Sequence, residues 1–246
     1  MVAWLEREAA AVNFETLMNV VYVLAMAAGA LLFVSWSRNP RGVPQYEYLI
    51  ATFIPVWSGM AYLAMAFDQG KVAVDGQITY YARYLDWVVT TPLLLLALAL
   101  TAMYRIKKDK TLIAALVGAD VVMILTGLIA DLSPTPLRYI WYFLGVAAFL
   151  VILYLVWVPL KAKADSQGPE IGGIFRRVAG LLSVLWVAYP LTWILGPSGV
   201  GLLNQTLDTA LFTLVPILSK VGWSIVDLSS LRALQGRELP RGARAA

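Results

Sequence analysis

A lysine in the middle of an apolar stretch has the most unusual chemical setting in this sequence. Lys220 lies within Asp208–Leu231, DTALFTLVPILSKVGWSIVDLSSL, about 15 Å from either end at the rise of an α-helix. A charge at such a depth is costly and indicates a functional site. A lysine close to a membrane surface could extend its ammonium to the headgroups, but Lys220 lies too far from both ends. We therefore expect a buried amine that pairs with a carboxylate or reacts with a carbonyl compound to form a Schiff base.

Four carboxyl groups in the apolar segments could pair with this amine: Asp86, Asp120, Asp208 and Asp227. In RYLDWVVTTPLLLLALAL, Arg83 lies about one turn before Asp86 and Thr90 about one turn after it, all on one helical face. Arg83 is expected to keep Asp86 ionised, and Thr90 can donate a hydrogen bond to its carboxylate. We predict that Asp86 neutralises the lysine; a structural Arg–Asp pair that joins two helices is the alternative.

The other three acids have less specific surroundings. Asp120 has no obvious charged partner, so we predict that it bonds to a neighbouring helix, although it could adjoin the pocket. Asp208 opens its segment, where capping of the helix is an equally good interpretation. Asp227 lies on much the same face as Lys220, about 10 Å further along the axis. It is a candidate proton acceptor, and a carboxylate at the headgroup edge is the alternative.

The composition places the chain in a membrane. It has 246 residues, of which 60% are hydrophobic and 14% charged, with a mean hydropathy of +0.73, whereas a soluble domain carries about a quarter charged residues. The absence of Cys excludes disulfides and thiolate metal sites, and the absence of His removes the usual proton carrier at neutral pH. We expect no metal site and no enzymatic activity. Nucleic-acid binding is not expected either, because the net charge of +4 comes from short loops and the C-terminus.

Seven segments are long enough to span a bilayer, and short connections with turn residues join them. The predicted spans are Phe14–Trp36, Tyr46–Phe67, Tyr80–Met103, Thr111–Ala130, Pro136–Pro159, Ile171–Leu195 and Thr206–Leu231. We predict an all-α membrane protein, a seven-transmembrane-helix bundle that forms a single domain over residues 1–246. A short cytoplasmic tail is expected from about residue 232. The acidic N-terminal stretch is not expected to be a cleaved signal peptide.

The loop charges predict the orientation of the bundle. If the spans alternate in direction, fourteen of the 19 basic residues lie near the loops on one side, and only Arg7, Lys71 and Arg138 lie near the other. Loops rich in Lys and Arg remain in the cytoplasm. We therefore predict an outside N-terminus and a cytoplasmic C-terminus in the cell membrane. The outward-facing side chains of the spans are expected to contact the lipid bilayer.

Four stretches of the sequence together resemble the microbial rhodopsins, in the same order and spacing over essentially the whole chain. They are RYLDWVVTTPLLL, LVGADVVMILTG, LWVAYPLTW and LSKVG. The resemblance implies all-trans retinal bound covalently to Lys220 as a Schiff base, with Asp86 as counterion and Arg83 and Thr90 beside it. By motif position it also implies a pocket, with these residues: Trp87, Thr91, Leu94, Met123, Gly127, Tyr142, Gly145, Trp186, Tyr189, Pro190, Trp193, Pro216 and Ser219.

Three departures from the family pattern bear on function. The carboxyl donor of outward pumps is Ala97 here, and the usual second counterion is Pro216. In the outer release cluster, Ser198 replaces one usual Glu and Asp208 the other. A proline at position 216 together with Asp227 resembles the xenorhodopsin branch, which includes the Anabaena-type sensory rhodopsin and inward proton pumps.

The departures predict the direction of proton movement. With one carboxylate fewer, the outward pull on a proton at Lys220 is weaker, and Asp227 is the only intramembrane acid that we identify on the cytoplasmic side. We predict a photoreceptor that acts as a light-driven inward proton pump. A photosensory rhodopsin that signals to a partner protein is the alternative, and an outward pump is less favoured. The family also implies a homo-oligomer, a trimer or a pentamer. A halide pump is disfavoured because Asp86 would repel an anion.

Overall fold

The computed structural model describes the backbone of residues 2–238 and the side chains of residues 14–236. In this part of the chain, seven helices are long and apolar enough to cross a membrane. The first four are uninterrupted α-helices: α1 (Val2–Ser37), α2 (Gln45–Ala66), α3 (Tyr81–Ala102) and α4 (Lys110–Asp131). The predicted all-α bundle of seven spans is confirmed. The basic residues Arg7, Arg237, Arg241 and Arg244 lie outside the described side chains.

The last three spans are longer than predicted at one end. Helix α5 covers Leu137–Asp165 and passes through a π-helical turn, Val156–Leu160, which contains Pro159. Helix α6 covers Pro169–Leu195. Helix α7 consists of Gln205–Ile217, the π-helical turn Leu218–Gly222 and Trp223–Glu238. The predicted tail therefore begins as helix: residues 232–238 continue α7, and residues 239–246 lie outside the described residues.

Side-chain caps fix where two of the helices begin. The Asp109 carboxylate accepts a hydrogen bond from the backbone N–H of Leu112 at 3.1 Å, at the start of α4. This bond is the main reason that the pKa of Asp109 lies below its ordinary value, and Lys163 adds to the effect. The Asn204 amide oxygen likewise accepts from the N–H of Leu207 at 2.9 Å. Asn204 is therefore the cap of α7, and the capping role considered for Asp208 is wrong.

A small hairpin between α2 and α3 was not predicted. Strands β1 (Val72–Val74) and β2 (Gln77–Thr79) pair antiparallel, with Val74 opposite Gln77. The two-residue turn is Asp75–Gly76, both with positive φ (53° and 79°). Asp-Gly is a common choice for such a turn because both residues tolerate this conformation. The hairpin leaves the seven-helix architecture unchanged and lies over the same side of the bundle as the start of α1.

The polar residues of the spans face inward. Large apolar side chains such as Leu24, Leu31 and Val184 are more than half exposed, as expected for residues that contact lipid tails. The buried polar set lies between the helices and includes Asn19, Ser58, Asp86, Thr90, Asp120, Lys220 and Asp227. Helix α3 has the largest buried share of the seven. It therefore lies centrally and carries the residues that surround the candidate site.

Candidate functional site

Lys220 lies in the π-helical turn of α7 and is only 1% exposed. Its Nζ forms an ion pair with the Asp86 carboxylate, the buried partner predicted from the sequence. Nζ also donates to Ser58 Oγ at 2.8 Å and to Tyr22 OH at 3.2 Å. An ammonium has three donors, and all three meet oxygen atoms here. The buried charge is therefore both paired and hydrogen-bonded.

Two hydroxyl groups also contact the Asp86 carboxylate, one from α2 and one from α3 itself. Ser58 Oγ on α2 donates to Asp86 Oδ2 at 2.8 Å, and Thr90 Oγ1 lies 3.1 Å from Oδ1. Tyr22 OH lies 2.6 Å from Ser58 Oγ, and it must be the donor there because the Ser58 proton goes to Asp86. The sequence identified Thr90, which shares a helix with Asp86. It did not identify Ser58 or Tyr22, because no spacing along the chain relates them to α3.

Arg83, predicted to lie beside Asp86, forms its ion pair with Asp208. Its Nη1 pairs with Asp208 Oδ2 at 3.7 Å, and its guanidinium lies over the rings of Tyr80 and Phe212. The contacts that hold the Asp86 carboxylate come from Lys220 and hydroxyl groups, so the structure does not contain the Arg83–Asp86 pair considered as the alternative, and the influence of Arg83 on the charge of Asp86 stays a prediction. The one-turn spacing brings Arg83 to the right face of α3, but the long side chain extends toward α7.

Asp120 bonds to a neighbouring helix, as its isolation in the sequence suggested. Thr91 Oγ1 on α3 donates to Asp120 Oδ2 at 2.7 Å, and Asp120 is completely buried. Because Thr91 also lines the cavity described next, the α4 acid adjoins the pocket through this threonine. Its contacts join α3 to α4 and do not include Lys220.

An apolar cavity lies between α3, α4, α5 and α6. Ten of the predicted pocket residues line it: Trp87, Thr91, Met123, Gly127, Tyr142, Gly145, Trp186, Tyr189, Pro190 and Trp193. Five lining residues were not predicted from the sequence, namely Tyr84, Ile124, Val146, Phe149 and Phe212. Most of these five are apolar residues of a kind common in membrane helices, so their residue types do not distinguish them from residues that only pack between helices.

The remaining predicted pocket residues, Leu94, Pro216 and Ser219, are buried but are not among the residues that line the cavity. Ser219 Oγ lies 3.0 Å from Tyr189 OH, and Tyr189 is part of the cavity wall. Leu94 is buried in the same apolar cluster as Trp186. Pro216 is also buried, one turn before Lys220. It lacks an N–H, and the carbonyl of Phe212 that this leaves free accepts a hydrogen bond from Tyr62 OH at 2.6 Å.

The cavity suits a flat apolar chromophore such as the retinal that the resemblance implies. Aromatic rings form its walls: Tyr142 and Trp193 stack at 4.7 Å, and Trp87 meets Tyr189 edge-on at 5.3 Å. Gly127 leaves room for the Tyr84 ring, since a Cβ there would lie 3.2 Å from it. One end of the cavity approaches Lys220 through Tyr189 and Ser219. The residues present therefore fit a long apolar group attached to that lysine.

Two buried acids lie beyond Lys220, toward the side that carries the connections after α1, α3 and α5, here called the basic side. Asp227 is 2% exposed, and its Oδ1 accepts a hydrogen bond from Thr101 Oγ1 at 2.8 Å. Glu47, in the first turn of α2, is also 2% exposed. The expectation that Asp227 is the only intramembrane acid in this half is therefore wrong. Ala97, in place of the family's donor, lies in the apolar cluster.

A second, polar cavity opens on the opposite side, here called the N-terminal side. Arg83, Asp208 and Asp131 are among its lining residues, together with Trp193. Asp131, which the sequence did not single out, accepts a hydrogen bond from Trp193 Nε1 at 3.1 Å. Trp193 borders both cavities, so the apolar pocket and the polar cavity share one wall. The predicted outer-side position Ser198 also lines this polar cavity.

Comparisons with known proteins agree with this site. The family described as bacteriorhodopsin-like protein matches residues 13–234. Archaerhodopsin-1 from Halorubrum ezzemoulense is 39% identical over 233 residues, which cover 92% of this chain and 88% of the relative.

Two solved structures are similar to the whole bundle. The thermophilic rhodopsin from Rubrobacter xylanophilus has a TM-score of 0.86 and 38% identity, over 90% of this chain and 97% of that one. The light-driven proton pump rhodopsin from Coccomyxa subellipsoidea has a TM-score of 0.81 and 31% identity, over 88% and 96%. The chain is therefore a multi-pass membrane protein of the bacteriorhodopsin-like family of microbial rhodopsins, whose members bind retinal covalently through a lysine.

Proposed function

We propose that Lys220 holds the retinal and that Asp86 balances the charge of its nitrogen. The support is geometric: Lys220 is buried and contacts Asp86, and the adjacent Ser219 lies 3.0 Å from Tyr189 of the aromatic cavity wall. When bound, retinal supplies a light-driven change of shape that alters the surroundings of the Lys220 nitrogen. Ser58 and Thr90 hold the Asp86 carboxylate in a fixed position, so the charge balance does not depend on side-chain reorganisation.

Replacement of the lysine tests this attachment. Lys220→Ala is expected to abolish the visible absorption band and the covalently bound retinal, because Lys220 is the only buried lysine among the described side chains. Absorption spectroscopy after addition of retinal, followed by borohydride reduction, measures both properties. Lys71→Ala, at the start of the hairpin, is the control and should keep the colour. A coloured, borohydride-reducible adduct in Lys220→Ala would show that the attachment site is wrong.

We propose further that the protein is a light-driven proton transporter that moves protons inward, from the N-terminal side to the basic side. The observation that carries this proposal is the unequal placement of carboxyl groups around Lys220. Asp86 touches Lys220 directly, Pro216 occupies the position of a second carboxylate, and Asp227 lies two turns toward the basic side. The names of the relatives do not support the inward direction, which rests on the residues of this chain. The same proposal places the basic side in the cytoplasm.

Each polar group then has a defined task. Asp86 and its hydroxyl partners hold a proton at Lys220 in the dark. Asp227 is the acceptor when the proton leaves toward the basic side. Because about 10 Å along the helix separates Lys220 from Asp227, the transfer requires intervening hydrogen-bonding groups or water. On the other side, the polar cavity around Arg83 supplies the replacement proton.

Outward transport is the second candidate. The polar cavity on the N-terminal side brings the buried acids Asp208 and Asp131 close to Arg83, and such a cluster could release protons outward. The Coccomyxa relative is described as a light-driven proton pump, without a stated direction. Sensing through a transducer, and assembly into trimers or pentamers, stay predictions.

Light-induced pH changes in a suspension of cells that contain the pigment distinguish the candidates. Inward transport is expected to make the external medium more alkaline under illumination, and a protonophore should abolish the change. External acidification would establish the outward pump instead. An unchanged pH would favour the photosensor. A Lys220→Ala strain is the matched control, because it should respond to light in none of these ways.

A further inference from the structure

Glu47 has the least satisfied carboxyl group among the described side chains of the bundle. It is 2% exposed, and neither carboxyl oxygen has a hydrogen-bond partner within the described residues. An ionised carboxylate without partners is costly to bury. Position along the helix alone does not require this burial, since Glu47 lies in the first turn of α2, two residues after Gln45. A residue so placed either carries a proton or is solvated by internal water, and both are properties of a proton-exchange group.

The parts of α2 and α7 that carry Glu47 and Asp227 pack together, because Tyr48 and Leu228, the residues next to these two acids, belong to one buried cluster. The two carboxyl groups are close enough to interact electrostatically. Only one oxygen of Asp227, Oδ1, receives the hydrogen bond from Thr101. Two neighbouring buried carboxyl groups are unlike two separate acids, because the ionised form of one disfavours ionisation of the other. Such a pair readily shares one proton, which either member can hold.

A polar connection leads from this pair back to Lys220. Ser224 lies one turn after Lys220 and three residues before Asp227, on the same face of α7. It is 2% exposed, and its Oγ has no hydrogen-bond partner among the described side chains and backbone groups. The sequence of polar groups from the bundle centre is therefore Lys220, Ser224, Asp227 and Glu47, within otherwise apolar surroundings such as Leu228 and Leu231.

The cations nearby leave Glu47 free to exchange protons. Lys108, in the α3–α4 connection, also interacts electrostatically with Glu47, but its Nζ donates to the carbonyls of Met103 and Tyr104. Partial burial lowers the pKa of Lys108, and Glu47 opposes that shift. Arg232 directs its donors to Tyr48 OH and to backbone carbonyls at the end of α1. Neither Lys108 nor Arg232 therefore forms a hydrogen bond with Glu47.

We infer that Glu47 and Asp227 form a two-carboxyl proton relay, in which Asp227 faces Lys220 and Glu47 exchanges protons with water on the basic side. This inference rests on the proposed proton transport, and it deepens the description of the same path. In the inward direction, a proton moves from the Asp227 carboxyl to the Glu47 carboxylate and then from Glu47 to water. In the outward direction the same two transfers run in reverse.

Infrared difference spectroscopy of Glu47→Gln, combined with a pH-sensitive dye on the basic side, tests the relay. The wild type should show two light-dependent carboxyl C=O bands from this region. Glu47→Gln should lose one band, keep the Asp227 band and the visible colour, and slow proton exchange on the basic side about 100-fold, as for loss of a positioned proton-transfer group. Glu47→Asp should restore a carboxyl band and most of the rate. If Glu47→Gln folds poorly, Glu47→Asp is the variant on which the test is made.

Glu170→Gln is the matched control, because Glu170 lies on the same side but is exposed and paired with Arg105. It should leave the bands and the rate unchanged. Unaltered carboxyl bands and an unaltered exchange rate in Glu47→Gln would overturn the relay. The infrared measurement does not depend on net proton transport. A pigment that moves no protons across the membrane would refute the proposed function, and the loss or retention of the Glu47 band would still test the relay.

Discussion

The contacts of Asp86 explain how a charged pair is tolerated in the centre of the bundle. Each charge carries hydrogen bonds besides the ion pair: Ser58 and Thr90 donate to Asp86, while Lys220 donates to Ser58 and Tyr22. Removal of one partner of such a pair leaves an uncompensated buried charge, which costs about 3–5 kcal/mol. The Lys220 nitrogen should therefore depend strongly on this single carboxylate for its charge state.

Asp86→Asn tests that dependence. Without the negative charge, the pigment is expected either to lose its visible band at neutral pH or, where the nitrogen stays protonated, to absorb at longer wavelength. Absorption spectra over a range of pH measure both effects. Asp120→Asn is the control, since Asp120 is an equally buried acid that bonds to Thr91. An Asp86→Asn pigment with the wild-type spectrum at every pH would contradict the assignment.

The helices position these residues through interruptions of their own regularity. Pro216 removes a backbone donor from α7, and the π-helical turn that follows it contains Lys220. The Phe212 carbonyl that Pro216 leaves free is satisfied by Tyr62 OH on α2. The proline thus replaces a bond within α7 by a bond between two helices. This bond fixes the segment of α7 immediately before the lysine.

Tyr62→Phe should destabilise the bundle by about 1–3 kcal/mol, because it leaves a buried carbonyl unsatisfied. In a Pro216→Ala background the same change should cost less, since the restored N–H can satisfy Phe212 within the helix. Unfolding free energies of the four proteins in mixed micelles form the required double-mutant cycle. Equal costs of Tyr62→Phe in both backgrounds would show that the hydrogen bond and the proline are unrelated.

The whole bundle was largely predictable, because the length and apolarity of each span follow from the thickness of the membrane. The predicted spans agree with the helices to within about two residues at most ends. The exceptions are α1, which begins at Val2 and not at Phe14, α5, which continues beyond Pro159 through a π-helical turn, and α7, which continues to Glu238. The hairpin at Asp75–Gly76 was missed although its turn residues are typical.

The candidate site was predictable where its residues share a helix or a motif. The pairing of Lys220 with Asp86 followed from their depth and charge. The partners Tyr22 and Ser58, and the burial of Glu47, were not predictable, because contacts between helices depend on how each helix is rotated about its axis. Arg83 shows the same limit: its position was correct, but its long side chain pairs with Asp208.

The central claim is that protons leave Lys220 toward the basic side through Asp227. A single laser flash on oriented vesicles, with a pH-sensitive dye confined to one side at a time, tests it most directly. The account predicts that a proton appears first on the basic side and is later taken up from the N-terminal side. In Asp227→Asn the first event should slow strongly while the colour is kept, and Asp75→Asn in the hairpin should behave as wild type. A proton that appears first on the N-terminal side, or an Asp227→Asn pigment with unaltered kinetics, would contradict the account.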